Sequence, residues 1–192
     1  MTFSKNIYEN QEFLNIQAIN QDISYKEFNN CVFKKCNFSQ SDFQETTFSD
    51  CKFLNCNLSN ITLKEAWLHN VRFEKSKLVW VNFSLLNIFY LWVGFYECMI
   101  NICNFTKLNL SKTKFINSTI YDCDFINTNL TKSDFFDSNL KQSKFIDCNL
   151  IEANFENASS YFIDPTRNKL KKARFSQPDV LNLLSWFEIE II

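Results

Sequence analysis

A period of five runs through most of this chain. From Phe28 every fifth residue is large and apolar as far as Ile88; the beat slips by two residues, resumes at Phe95 and runs to Phe155, giving 26 repeats. Five fits neither the 3.6 of a helix nor the 2 of a flat strand. A short fixed period of this kind belongs to a solenoid, in which each repeat is one piece of a wound coil that buries its apolar side against its neighbours. With four sides to a coil, residues 20 apart stack, and the beat sorts into four columns. One column is Phe throughout: Phe33, Phe53, Phe73, Phe95, Phe115, Phe135 and Phe155. The column opposite, from Phe43 to Phe145, is mostly Phe, whereas the other two, from Phe28 to Leu150 and from Phe38 to Leu140, are mainly aliphatic. Opposed sides therefore carry matched sizes, as an interior filled at crystal-like density requires. The reading is of an inward core ladder in about 6.5 coils, a rod about 30 Å long at roughly 4.8 Å per rung.

The columns stay in phase across the slip only if the two extra residues form a bulge or small loop. Ile88-Phe89-Tyr90-Leu91-Trp92-Val93 then places large apolar groups where solvent is expected. Two readings stand: a bulge folded back over its own apolar groups, or an exposed contact patch of Phe89, Tyr90, Leu91 and Trp92.

Eight cysteines raise the question of disulfides or a metal. All eight lie two residues before a beat residue, in a slot that carries a small or β-branched side chain in 22 of 26 repeats. The slot demands a small group, and a buried Cys serves as one. The expectation is of inert thiols and no metal, as suits a reducing compartment. The chain has one Gly and two Pro, too few for a fold built on tight primed hairpin turns.

The repeat unit reads as a small residue, often Asn or Asp, then Phe or Leu, then two variable positions. Stretches such as CNFSQ-SDFQE and CDFIN-TNLTK-SDFFD-SNLKQ-SKFID-CNLIE-ANFEN resemble the pentapeptide-repeat family. The resemblance spans Lys26 to about Asn157. It implies an all-β fold, a right-handed quadrilateral β-helix with four repeats per coil, here with a short C-terminal α-helix and strand. The expected organisation is an N-terminal cap over residues 1–22, the β-helix over 23–160 with the interruption near 89–92, and a C-terminal unit over 161–192. Phe13, Ile16 and Ile19 are the expected capping residues. Leu170, Ala173 and Phe175 suggest a last partial coil. Ser176 suits a helix N-cap, ahead of an apolar helix that includes Val180, Leu181, Leu184 and Phe187. An alternating strand with Ile189 and Ile191 follows. This tail resembles the dimerisation module of the quinolone-resistance and microcin-immunity branch, which implies a homodimer through Val180, Leu181, Leu184, Phe187, Ile189 and Ile191. A helix this apolar must bury more than one face, against its own coil or a twofold mate.

Catalytic chemistry is hard to place. His69 is the single histidine and sits beside a beat residue, facing outward on this reading. Neither a base for the scattered Ser and Thr nor a phosphate-cradling loop is visible, so no enzyme, cofactor or small-molecule substrate is expected. The near-neutral charge argues against direct nucleic-acid binding, and no apolar run is long enough for a membrane span. The opening residues MTFSKNIYENQEF lack the apolar stretch of a signal peptide, so a cytoplasmic protein is expected. Function then reads as a protein-interaction or structural module with an unknown partner. The alternative implied by the resemblance is a DNA-mimicking binder of DNA gyrase or topoisomerase IV, protecting against quinolones or a toxin. Residues 28–160 hold 13 acidic and 13 basic side chains, and the face after the all-Phe column begins basic at Lys34, Lys35, Lys52, Arg72 and Lys75, turning acidic only at Asp134, Asp137 and Glu156.

Overall fold

The computed structural model describes residues 3–187 and residue 189. The chain winds as a parallel β-solenoid of about 8 turns that ends in a single short helix. Strands of two to four residues stack in register with strands one coil away. One side carries Ile7–Glu9, Glu27–Asn29, Thr47–Ser49 and Trp67–His69. The next carries Glu12–Leu14, Val32–Lys34, Lys52–Leu54, Val71–Glu74, Val93–Tyr96 and Lys114–Ile116. Every pairing is parallel, and partners such as Phe33↔Phe53 are one coil apart.

The corners explain how a chain with one glycine turns so often. In nearly every repeat the second residue after the inward centre adopts a positive φ, as at Asn30 (52°), Lys35 (51°) and Asp50 (54°). This left-handed region is uncommon for residues with a Cβ, and Asn and Asp tolerate it best. At many repeats the residue before the centre adds an Asx turn: Asn37 Oδ1 accepts from the Ser39 amide at 3.1 Å, and Asp42 Oδ1 from the Gln44 amide at 2.9 Å. The Asn/Asp bias of the repeat is thus a backbone requirement.

Inside, Phe33, Phe53, Phe73, Phe95, Phe115, Phe135 and Phe155 are buried and stacked ring on ring, with centroids between 4.7 Å (Phe33 to Phe53) and 5.3 Å (Phe73 to Phe95). Rings of adjacent columns meet edge to face, as do Phe115 and Phe125 at 5.9 Å and 88°. Offset stacks and T-shaped pairs each add roughly 0.5–1.5 kcal/mol beyond burial.

The small slot has a second requirement that size alone does not reveal. Its side chain donates to the carbonyl of a centre residue in the preceding coil. Thr46 Oγ1 reaches Ile23 O at 2.8 Å, Cys51 Sγ reaches Phe28 O at 3.2 Å, and Ser138 Oγ reaches Phe115 O at 2.6 Å. Ser, Thr and Cys interchange there because each is small and carries a donor. All eight thiols are buried and unpaired. Burial pushes Cys51 up to about 12 and Cys98 and Cys148 to about 11, which keeps them protonated and unreactive.

Three expectations need correction. Residues 7–22 do not form a separate cap; they are a further coil. Tyr8 stacks on Phe28 at 5.1 Å and Phe13 on Phe33 at 5.0 Å, while Ile19 lies exposed. The plug is Phe3, packed on Tyr8, Phe13 and Phe28 and standing over Phe38 at 6.1 Å, where Ala18 fills little of its own rung. Second, the helix at Asp179–Phe187 is a 3-10 helix, not an α-helix, and Ser176 does not cap it through its side chain. The Ser176 hydroxyl accepts the Asn157 amide at 3.0 Å instead. The expected final strand falls largely outside the described residues, Ile191 included. Third, Ile88 is not in the core: it is 62% exposed, and Leu91 packs against the buried cluster instead. Near the end the spacing also shifts, so that Ile163 pairs with Phe145, and buried Tyr161 lies against Phe155 and Phe175.

Candidate interaction surface

Residues 87–92 leave the wall of the solenoid. Asn87 keeps its rung, its amide donating to Ala66 O at 2.9 Å, and Trp92 rejoins by donating to Leu68 O at 3.0 Å. Between them the two surplus residues of the beat are accommodated as a protruding loop. Leu91 turns inward and is only partly buried. Phe89, Tyr90 and Trp92 turn outward, with 67%, 79% and 57% of their surfaces exposed. The loop leans on the preceding coil: Phe89 lies 6.5 Å from Trp67 ring to ring, and Tyr90 O lies 3.3 Å from His69 Nδ1. Of the two readings of this segment, the geometry is that of the exposed patch. Trp80 and Met99 are also exposed within the same stretch of chain, so three of the four tryptophans (Trp67, Trp80 and Trp92) lie in it.

A cleft of about 610 Å³ opens beside the loop, between the coil of Arg72 and that of Lys114. Its floor is set by Gly94, which pairs with Arg72 on one side and Lys114 on the other. A Cβ at Gly94 would come within 3.0 Å of the Tyr96 ring. The ring is held from outside by the Arg72 guanidinium, 3.9 Å from its centroid. The lone glycine, at an outward position of its repeat, was the available sequence signal for this cleft, and sequence reasoning did not use it.

Surface charge is arranged in pairs between coils. Lys34 meets Glu12 at 2.7 Å, Lys52 meets Glu74 at 2.6 Å, Lys144 meets Asp124 at 3.1 Å and Arg167 meets Asp147 at 3.0 Å. Such exposed pairs are worth little each, but they break up any continuous stripe of one sign.

At the far end Phe162 and Trp186 lie 4.6 Å apart, and with Leu181, Phe187 and Ile189 they are exposed. Val180 and Leu184 are half-buried. Among the described residues, no group of three or more His, Cys, Asp or Glu could hold a metal ion, and no helix is long and apolar enough to cross a membrane.

Two sequence profiles match: one described as "Pentapeptide repeat region" over residues 26–101 and one described as "Pentapeptide repeats (8 copies)" over residues 103–131 and 133–159. No match was found among curated proteins. Among solved structures, trypsin-treated QnrB1, a plasmid-mediated fluoroquinolone resistance protein, superposes with a TM-score of 0.73 at 15% identity, covering 97% of each chain. HetL, a protein involved in heterocyst differentiation regulation from the cyanobacterium Nostoc sp. strain PCC 7120, gives 0.63 at 16% identity, covering 90% of this chain and 86% of its own.

Proposed function

The chain belongs to the pentapeptide-repeat family, and from that premise we propose that it acts without catalysis, as a rod that presents the loop at 87–92 to a protein partner. The observation that carries this is the outward placement of Phe89, Tyr90 and Trp92 together on one protruding loop. Aromatic side chains are what protein interfaces use as anchors, and leaving them in water has a cost that a partner removes. A rigid β-rod suits the role, because the loop is held at both ends by backbone hydrogen bonds and loses little freedom on docking. Capture of partners from an extract by the wild-type chain, repeated with Phe89→Ser and Tyr90→Ser together, is the direct test. The expected result is a partner lost in the variant; an unchanged set of partners overturns this reading.

A homodimer through the C-terminus is part of the same proposal. Leu181, Phe187 and Ile189 are exposed at one end of the rod, beside half-buried Val180 and Leu184, and a second copy would cover them. Sedimentation of the wild type as a dimer, and of Leu181→Glu with Phe187→Glu as a monomer, is expected; a monomeric wild type at micromolar concentration ends it.

A second reading, binding to a type II topoisomerase with protection against fluoroquinolones, has support from the similarity to QnrB1 in fold over nearly the whole chain. The pairing of charges between coils weighs against it, since a mimic of duplex DNA needs negative charge where the enzyme is positive. A supercoiling assay with purified gyrase discriminates: neither inhibition nor drug protection at micromolar protein excludes this reading.

A further inference from the structure

We propose that the cleft beside the loop binds a carboxylate-bearing, acidic peptide segment of a partner protein. The inference deepens the interaction reading above and shares with it Leu91 and Trp92, which stand where loop and cleft meet. Three cations face the cleft: Arg72, Lys112 and Lys114. None of the lining residues is acidic. Arg72 is already engaged by Glu74 and by the Tyr96 ring. Among the described residues neither Lys112 nor Lys114 makes an ion pair, whereas Lys34, Lys52, Lys75, Lys132 and Lys144 each meet a carboxylate from another coil. Among the described residues eight of the 20 Lys and Arg side chains make ion pairs; what sets Lys112 and Lys114 apart is that they lie together over an open cleft with no acidic lining residue, where they form a local positive site.

Gly94 admits the Tyr96 ring. In the row Arg72, Gly94, Lys114 the middle rung has no side chain and the Tyr96 ring lies over it, so the cleft is walled there by an aromatic group with a cation one coil to either side. The volume, about 610 Å³, lies within the usual range of ligand sites, roughly 300–1,000 Å³. Trp92 provides an apolar wall for the guest's neighbouring side chain.

The chemistry favours a peptide over a nucleic acid. Stacking of successive bases needs several open aromatic faces, yet the Tyr96 ring lies against Gly94 and under Arg72, which leaves Trp92 as the one open ring among the lining residues. A nucleic-acid backbone also needs a run of cations. The next place in the row is acidic instead: Asp134, whose backbone pairs with that of Lys114. One or two carboxylates at close spacing match the two unpaired lysines.

The test is a titration of the isotope-labelled full chain with the blocked peptide acetyl-Glu-Leu-Glu-Leu-Glu-amide, followed by NMR. The Gly94 amide and the Trp92 indole N–H are expected to shift together. The counterpart with Gln for every Glu is expected to bind at least about tenfold more weakly, as is the peptide to the Lys112→Glu, Lys114→Glu double variant. On the wild type, raising salt from about 50 to about 300 mM is expected to weaken binding several-fold, a readout independent of any variant's folding. The Phe89→Ser, Tyr90→Ser variant is expected to keep its peptide affinity, because neither residue lines the cleft; its partner capture tests the interaction reading separately. No shift at Gly94 at millimolar peptide, equal binding of the Gln peptide, or salt-independent binding overturns the proposal. So does tighter occupation of the same residues by a thymidine decanucleotide or by inorganic phosphate, which assigns the cleft to that ligand instead.

Discussion

The coils from Phe95 to Phe155 and the loop from Asn87 to Trp92 use the same kinds of large apolar side chain, which end in opposite places. In the coils each large residue is flanked by a left-handed corner and a small donor slot, and the geometry sends it inward: Phe105, Phe115, Phe125 and Phe135 are wholly buried. In the loop the corner spacing is broken by two residues, and the same kinds of side chain project into water. Apolar character therefore does not decide burial in this fold; phase relative to the corners does. The regular coils determine the shape, and the out-of-phase segment is left to meet other molecules.

That contrast can be broken from the core side first. The largest effect is expected at alkaline pH. All eight thiols sit in the regular coils and none in the loop. Burial raises Cys51 from an ordinary 9.0 to about 12, and Cys98 and Cys148 to about 11. Their contribution to stability is fully present below pH 9 and is lost as pH rises through 11 to 12, because the unfolded thiols ionise first. A melting temperature unchanged between pH 8 and about 11 would contradict their burial. Next, Phe115→Ala is expected to cost roughly 3–5 kcal/mol in denaturant unfolding, having removed one ring from a continuous stack. Ser138→Ala is smaller, roughly 1–3 kcal/mol, because it leaves the Phe115 carbonyl without its hydroxyl donor. Deleting Phe89 and Tyr90 restores the five-residue beat and is expected to change stability by under about 1 kcal/mol while abolishing partner capture; a collapse of the fold would show the loop to be part of the core. Lys114→Ala, beside Phe115 but outward, is expected to stay within about 0.5 kcal/mol.

The period of five was legible because its centres are large and its corners tolerate many residues, so the signal repeats without interruption for long stretches. It stopped being legible where the inward residue is atypical. Ala18 hides the first coil, since a methyl does not look like a core centre until Phe3 is seen filling its rung. Tyr161 and Ile163 hide the last coil for the same reason, a local shift in spacing that later elements absorb. At the loop, a run of consecutive apolar residues offered several registers, and only the backbone hydrogen bonds of Asn87 and Trp92 choose Leu91 over Ile88. The slot was legible as small but not as a donor, because the carbonyl it serves is 23 residues back in the chain and invisible to any local pattern. The cleft needs three separated features at once, namely Gly94, the surplus residues and the unmatched lysines, and nothing in the repeat ties them together.

The backward reach of the slot donors gives the rod a direction of assembly. Most of these hydroxyls and thiols satisfy a carbonyl already laid down in the turn before, as Thr46 does for Ile23 and Cys148 for Phe125. A chain emerging amino-terminus first thus adds each turn to a template below it, with Phe3 sealing the starting end against Phe28 and Phe38 of the second turn. Growth runs one way, and a truncated product stops at its last turn with carbonyls waiting and the earlier turns complete.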